Sequence, residues 1–183
     1  MKAIGFKKSF DLKETNEFEE LDLPILEPSR REILVNVKAA SINPVDTKLR
    51  TTNEGEFKVL GYDAVGVVEA VGDEVELFHV GDEVYYSGSN MRQGSNAEYQ
   101  LVDERLVGIK PEHLSYAETA ALPLTALTAF EALIEGLSIS TNPEDNKDKK
   151  LLIINGAGGD GSIATQIAKN LGLTVITTAS RKE

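Results

Sequence analysis

Leu151–Arg181 reads LLIINGAGGDGSIATQIAKNLGLTVITTASR. Its first run, Leu151–Ile154, has the length and branching of a buried strand. Asn155-Gly156-Ala157-Gly158-Gly159-Asp160-Gly161 follows, and then Ile163, Ile167, Ala168 and Leu171 recur at helical spacing. Gly172 stands where a helix C-cap is expected, and the β-rich run Leu173–Thr178 completes a strand–turn–helix–strand unit.

Within that unit Gly156, Gly158 and Gly161 fit G-x-G-x-x-G. Such a turn needs glycine for tightness, for approach of the backbone to a pyrophosphate, and for close packing of helix on strand. The unpaired N–H groups that open the helix then face the anion. Gly156, Gly158, Gly159 and Gly161 are therefore candidate cofactor-binding residues; the plainer alternative is a glycine-rich turn in an ordinary βαβ unit. A Walker-type phosphate loop is disfavoured, because Ser162 stands where that motif requires Lys. An NAD site would carry an acid about 20 residues on. Here the second strand runs into Ala179-Ser180-Arg181-Lys182 with no acid before Glu183. Ser180 and Arg181 suit a 2′-phosphate, which points to NADPH over NADH; the alternative is a charged, frayed chain end.

With 183 residues and 41% hydrophobic content, the chain is expected to make one domain and part of another. A formal net charge of -11 disfavours nucleic acid and anionic membrane as partners. The absence of cysteine removes disulfides and thiolate metal sites. No signal peptide is visible and no run is expected to approach membrane-spanning length, so a cytoplasmic location is the default expectation.

Upstream, residues 3 to about 110 read as a β domain. Ile33–Ala40, Ala64–Val71, the run ending Val84-Tyr85-Tyr86, and Ala97–Val102 are expected strands. Gly66 inside the second of these suggests a bulge or a close backbone approach. Many short strands with Gly/Asp turns argue for a small barrel or sandwich. After Pro111 the character becomes helical. Ser115-Tyr116-Ala117-Glu118 has the capping-box pattern, and a further helix is expected from near Thr125, carried by Leu127, Phe130, Leu133, Ile134 and Leu137. Asn142–Lys150 is polar and charged and reads as a solvated loop.

Several stretches together resemble the medium-chain dehydrogenase/reductase superfamily, and within it the zinc-free quinone oxidoreductase and zinc-type alcohol dehydrogenase-like branch. They are Ala40-Ser41-Ile42-Asn43-Pro44-Val45-Asp46, Gly61-Tyr62-Asp63-Ala64-Val65-Gly66-Val67-Val68, Val71-Gly72 with Val80-Gly81-Asp82-Glu83-Val84, Gly94–Tyr99, Ala121–Ala129, and the glycine turn. The resemblance implies a GroES-like β-barrel catalytic domain, placed at 1–122, followed by the first part of a doubly wound Rossmann NADP-binding domain at 123–183, truncated. It also implies a nicotinamide lying between the two. Zinc-dependent members carry Cys where this chain resembles them at Asn43, and His where it has Tyr62. His79 and His113 are the only imidazoles and read as surface or structural residues. A second departure is Asp160, where the family generally has a small apolar residue.

The resemblance implies NADPH-dependent reduction of a quinone or an α,β-unsaturated carbonyl, a small-molecule substrate, without metal. Hydrogen-bond donors must then stabilise the oxygen that gains charge. Asn43 and Tyr62 are the catalytic candidates; Tyr62 either gives a proton or lines the pocket, and Asn43 either donates or belongs to a turn beside Pro44. Asp46 and Arg92 are the substrate-binding candidates, with Asp46 equally readable as a turn residue and the Ser87–Ser95 loop as a mobile tip. Thr128 resembles the family's nicotinamide-contacting Thr, against the alternative of a helix hydroxyl bonded to its own backbone. Only two nucleotide-domain strands are present where about six are usual, so their open edges invite pairing with another chain, a possible homo-oligomer. The rival readings are a non-enzymatic, self-associating scaffold and a zinc alcohol dehydrogenase.

Overall fold

The computed structural model describes residues 1–11, 16–51 and 54–180, and the chain divides into two compact units, Met1–Pro123 and Leu124–Glu183. The first unit contains β1 (Lys2–Lys8), β2 (Glu19–Asp22), β3 (Glu32–Ser41), α1 (Pro44–Leu49), β4 (Glu54–Val59), β5 (Asp63–Val71), β6 (Glu83–Ser87), β7 (Tyr99–Asp103), β8 (Val107–Ile109) and α2 (Tyr116–Ala120). Its strands form a three-stranded sheet of order β2-β1-β4 and a five-stranded antiparallel sheet of order β7-β3-β5-β6-β8, with a bridge from Ala3 to Ala97.

Alternation decides what the larger sheet buries. Ile33, Val35, Ala64, Val68, Val84, Tyr86 and Val102 point inward and pack with Phe78 into one core. Gly66 bears out the expected close approach: a Cβ there would lie 2.3 Å from the Asn36 carbonyl oxygen on β3, and the β3–β5 register shifts nearby, between Val37 and Ala39. A second cluster of Phe6, Phe10 and Leu60 lies under the smaller sheet, where Phe6, Phe10 and Phe18 meet edge to face at 5.0–5.8 Å. Ser115 caps α2 as its sequence implies, its hydroxyl taking the Glu118 N–H while Glu118 reaches back to the Ser115 N–H at 2.9 Å.

The second unit holds most of α3 (Pro123–Phe130), a π-helical turn over Glu131–Gly136, a short 3-10 turn over Pro143–Asn146, β9 (Lys150–Ile153), α4 (Gly159–Asn170) and β10 (Thr174–Thr177). β9 and β10 pair in parallel, with Leu151 opposite Val175 and Leu152 opposite Ile176. Leu151, Val175, Ala164, Ile167, Ala168 and Leu171 pack with Leu133, Ile139 and Leu173 into its core. On the alternate positions Leu152, Ile154 and Ile176 are exposed. Gly172 follows the end of α4 with φ +83°, the left-handed conformation a helix stop favours.

One expectation needs correction. Tyr116–Gly136, a 21-residue stretch made of α2, α3 and the π-helical turn with a break at Ala121–Leu122, is long and apolar enough to cross a membrane by length and composition alone. It also carries Glu118, Glu131 and Glu135, buries Thr119 and Ala120 in the first unit, and buries Leu133 in the core of the second. Core helices of soluble proteins meet the same two criteria.

Candidate functional site

Asn43 leaves the end of β3 and is the N-cap of α1, with Pro44 in the first turn. Its backbone N–H donates to Asp46 Oδ2 at 2.7 Å, the returning half of a capping box. The other Asp46 oxygen accepts the Gly61 N–H at 3.1 Å. The Asn43 side chain also reaches across to β5: Nδ2 donates to Asp63 Oδ2 at 2.8 Å. Asp63 has no exposed surface and Asp46 only 6%. Buried carboxylates are costly unless hydrogen-bonded, and here backbone and side-chain donors meet that cost. Ser95 closes the network, donating its hydroxyl to the Asp63 main-chain oxygen at 3.1 Å. Gly61 has φ +107°, and a Cβ there would lie 2.4 Å from Ser95 Oγ, so this crossing admits only glycine.

Tyr62 stands between Gly61 and Asp63, half-buried, with its main-chain oxygen accepting the Gly88 N–H at 2.8 Å. Burial, and then the Asp46 charge, push its phenol above the ordinary tyrosine range. The phenol therefore stays protonated and is available as a hydrogen-bond donor, but is a poorer proton source.

Zinc does not fit this arrangement. A zinc site needs three or four converging N, S or O ligands. Positions 43 and 62 hold an amide and a phenol, and both Asp46 oxygens and one Asp63 oxygen already accept hydrogen bonds. Among the described residues no group of three or more His, Cys, Asp or Glu could hold a metal ion. His79 and His113 are both exposed, and His79 Nδ1 lies 3.9 Å from Asp82.

Arg92 is placed elsewhere. Its guanidinium pairs with Glu32 at the start of β3, whereas Asn43 follows the end of that strand. The strand from Glu32 to Ser41 spans roughly 30 Å at about 3.3 Å per residue. The loop that carries Arg92 is fastened by Lys58, whose Nζ donates to the Asn90 and Arg92 carbonyls at 2.9 and 2.8 Å. Gln93 fastens it too, its side-chain amide accepting the Val59 N–H at 2.7 Å and donating to the Phe57 carbonyl at 2.9 Å. That amide imitates a neighbouring strand along the outer edge of β4. Met91 stands at the tip, 85% exposed.

In the second unit the turn from Asn155 to Gly158 leads into α4, whose N-cap is Gly158. Asn155 has φ +60°, a left-handed conformation that Asn tolerates. Gly161 is fixed by contact: a Cβ there would lie 2.3 Å from the Asn155 carbonyl oxygen and 2.8 Å from Gly156 Cα. At Gly156 a Cβ would meet the Thr177 side chain at 2.5 Å. Gly158 faces the Asn155 amide, and Gly159 has only an ordinary contact, Thr125 Cγ2 at 3.5 Å from where a Cβ would be. Thr178 ties the turn to β10, its hydroxyl accepting the Asn155 N–H at 3.0 Å and its carbonyl the Gly156 N–H at 2.9 Å. Gly159, Asp160 and Gly161 open the helix, so their amides have no acceptor within it.

Thr128 lies exposed on α3, one turn after Thr125. Ser180 is exposed beyond β10, and Arg181 lies outside the described residues. Asp63, Ser95, Thr125 and Thr178 escape a sequence reading. For Asp63 and Ser95 the partner lies 20 and 32 residues away, and for Thr178 it lies 23 away. Only the double hydroxyl spacing of Thr125 and Thr128 could have been noticed.

The alcohol dehydrogenase GroES-like domain family matches residues 29–148. The chain belongs to that family, and with it to the medium-chain dehydrogenase/reductase superfamily. It is 58% identical, over its whole length, to 55% of a zinc-type alcohol dehydrogenase-like protein of Staphylococcus epidermidis. It is 38% identical, over 83% of its length, to 40% of an NADPH-dependent alkenal/one oxidoreductase of Arabidopsis thaliana chloroplasts. Among solved structures, a putative zinc-dependent alcohol dehydrogenase from Rhizobium etli covers the whole chain at TM-score 0.91 and 50% identity, over 54% of its own length. The Escherichia coli quinone oxidoreductase complexed with NADPH covers it at TM-score 0.81 and 27% identity, over 53% of its length. The chain thus spans about half the length of these dehydrogenases.

Proposed function

We propose that this chain serves an NADPH-dependent, zinc-independent reduction of quinones or α,β-unsaturated carbonyls. The observation that carries the reading is the turn before α4, where a Cβ at Gly161 would lie 2.3 Å from the Asn155 carbonyl oxygen and the first helical amides lack intrahelical partners. Relatives whose names or contents include NADPH, a quinone oxidoreductase and an alkenal/one oxidoreductase among them, support the cofactor and substrate class.

When bound, the nicotinamide supplies the hydride. The chain's own part is to bind and orient. Amides of Gly159–Gly161 take the pyrophosphate, Thr128 takes the nicotinamide end, and Ser180 with Arg181 takes a 2′-phosphate. Asn43 offers an N–H, and Tyr62 a protonated phenol, to the oxygen on which charge develops. With its phenol pushed upward, Tyr62 orients the oxygen, and water gives the proton. Asp46, with both oxygens on backbone N–H groups, shapes the loop that presents Asn43. A homo-oligomer and a soluble cytoplasmic setting belong to the same proposal.

The test is to titrate the 183-residue chain with NADPH and NADH, and then follow oxidation of reduced cofactor with a quinone and an enal. Tighter NADPH binding and oxidation above background are expected. No binding of either cofactor would remove the reading. One observation favours a second one, a self-associating scaffold: Leu152, Ile154 and Ile176 form an exposed apolar sheet face. Association in sedimentation without cofactor binding would favour it.

A further inference from the structure

Asp63 is fully buried, ionisable, and placed by neither composition nor motif in any role of its own. A carboxylate can only accept hydrogen bonds, so the Asn43 edge that faces it at 2.8 Å must be the NH2 and not the carbonyl. Amide orientation is otherwise the least determined feature of an asparagine side chain, since its two ends have nearly the same shape. With one N–H spent on Asp63, Nδ2 retains a second. Ser95 holds the Asp63 main chain through a 3.1 Å hydrogen bond, and Asp63 lies at the start of β5 with no exposed surface.

We propose that Asp63 is a positioning residue. Its buried carboxylate selects one of the two amide orientations of Asn43, so that the site offers a donor N–H instead of an acceptor oxygen. The inference rests on the reading of Asn43 as the group that meets the substrate oxygen, and it implies that an anionic or carbonyl oxygen, rather than a hydroxyl or amine donor, is the ligand atom accommodated there. A neutral amide in place of Asp63 would accept either edge of Asn43 and so lose the selection.

The experiment uses the 15N-labelled 183-residue chain and the side-chain NH2 signals of Asn43, assigned by their loss in Asn43→Ala. In the parent chain one Asn43 proton is expected well downfield of those of exposed asparagines, through its charge-assisted bond. In Asp63→Asn that proton is expected to return to the range of exposed asparagines. An Asn43 signal unchanged by Asp63→Asn would overturn the proposal. The swapped variant, Asn43→Asp with Asp63→Asn, keeps the bond but reverses its sense. It should recover most of the melting temperature lost in Asp63→Asn, while enal reduction stays at least tenfold below the parent. Recovery of reduction along with stability would mean that Asp63 is merely structural, and would also overturn the proposal. Reduction unchanged in Asn43→Ala would instead remove the substrate-facing reading of Asn43, leaving the NMR result to decide the positioning.

Discussion

The two candidate sites are built from opposite materials. In the first unit polar side chains do the work, fastening one another and the main chain: Asp63 takes the Asn43 amide, Asp46 the Gly61 N–H, and Ser95 binds the Asp63 carbonyl. In the second unit the backbone does the work, and side chains are removed to let it; Gly156 and Gly161 stand where any Cβ would strike Thr177 or the turn itself. The first construction tolerates exchange of residue types, provided donors and acceptors still match. The second construction tolerates almost no exchange, because shape and not chemistry is what it supplies.

That contrast breaks most visibly at Gly161. Gly161→Val must displace the Asn155–Gly156 backbone, and overpacking of this kind costs about 1–3 kcal/mol. NADPH affinity measured by fluorescence titration should fall at least tenfold. Gly159→Ala, with only an ordinary contact awaiting it, should change stability by no more than about 0.5 kcal/mol. Equal effects at the two glycines would mean that shape is not what the turn supplies.

Asn146 shows that the second unit also uses side chains, away from its turn. Fully buried, it donates to the Ser140 and Leu171 carbonyls at 2.7 and 2.9 Å. Asn146→Ala leaves both unpaired and should lower stability by about 1–3 kcal/mol in denaturant unfolding.

In the first unit Glu104 provides a pH test. Burial pushes its carboxyl upward, but the Leu77 and Glu76 N–H groups and Arg31 outweigh burial and hold it below the ordinary range. A depressed folded-state value means that the unfolded chain binds the proton more readily. The stabilisation is therefore complete above the unfolded value of about 4.3, and is lost as pH falls through the lower folded one. Melting temperature should drop on acidification across that window, and Glu104→Gln, less stable at neutral pH, should flatten the drop. A parallel curve for the variant would place the acid sensitivity elsewhere.

Asp160 should give the smallest effect. At the first turn of α4 it stabilises the helix by about 0.3–1 kcal/mol, yet its charge stands near an incoming pyrophosphate. Asp160→Val should bind NADPH about 2- to 5-fold more tightly, the same range converted to affinity. Identical affinities would show that the phosphates lie elsewhere.

What could be read in advance follows the same division. The strand–turn–helix–strand unit was legible because its signals are local: apolar period, glycine spacing and the Gly172 stop, with strand ends shifted by a residue. The Ser115–Glu118 box was legible for the same reason. At Asn43-Pro44-Val45-Asp46 the sequence suggests a turn and no helix; a six-residue helix forms because Pro44 opens its first turn and Asp46 returns to the cap. The long-range half was not legible. Nothing near Asn43 announces Asp63 or Ser95, and Arg92 lies beside Glu32 because a long flexible side chain reached an acid 60 residues away in sequence. The apolar helical run was also misjudged, since its three glutamates obscure how apolar the stretch between them is.

The central claim is that the amides opening α4 hold a dinucleotide's phosphates. The most direct test is a 1H–15N spectrum of the chain during NADPH addition. The backbone signals of Gly159, Asp160 and Gly161 should shift first and furthest, and inorganic pyrophosphate should move the same peaks. Saturation with NADPH that leaves those three signals unmoved would contradict the account.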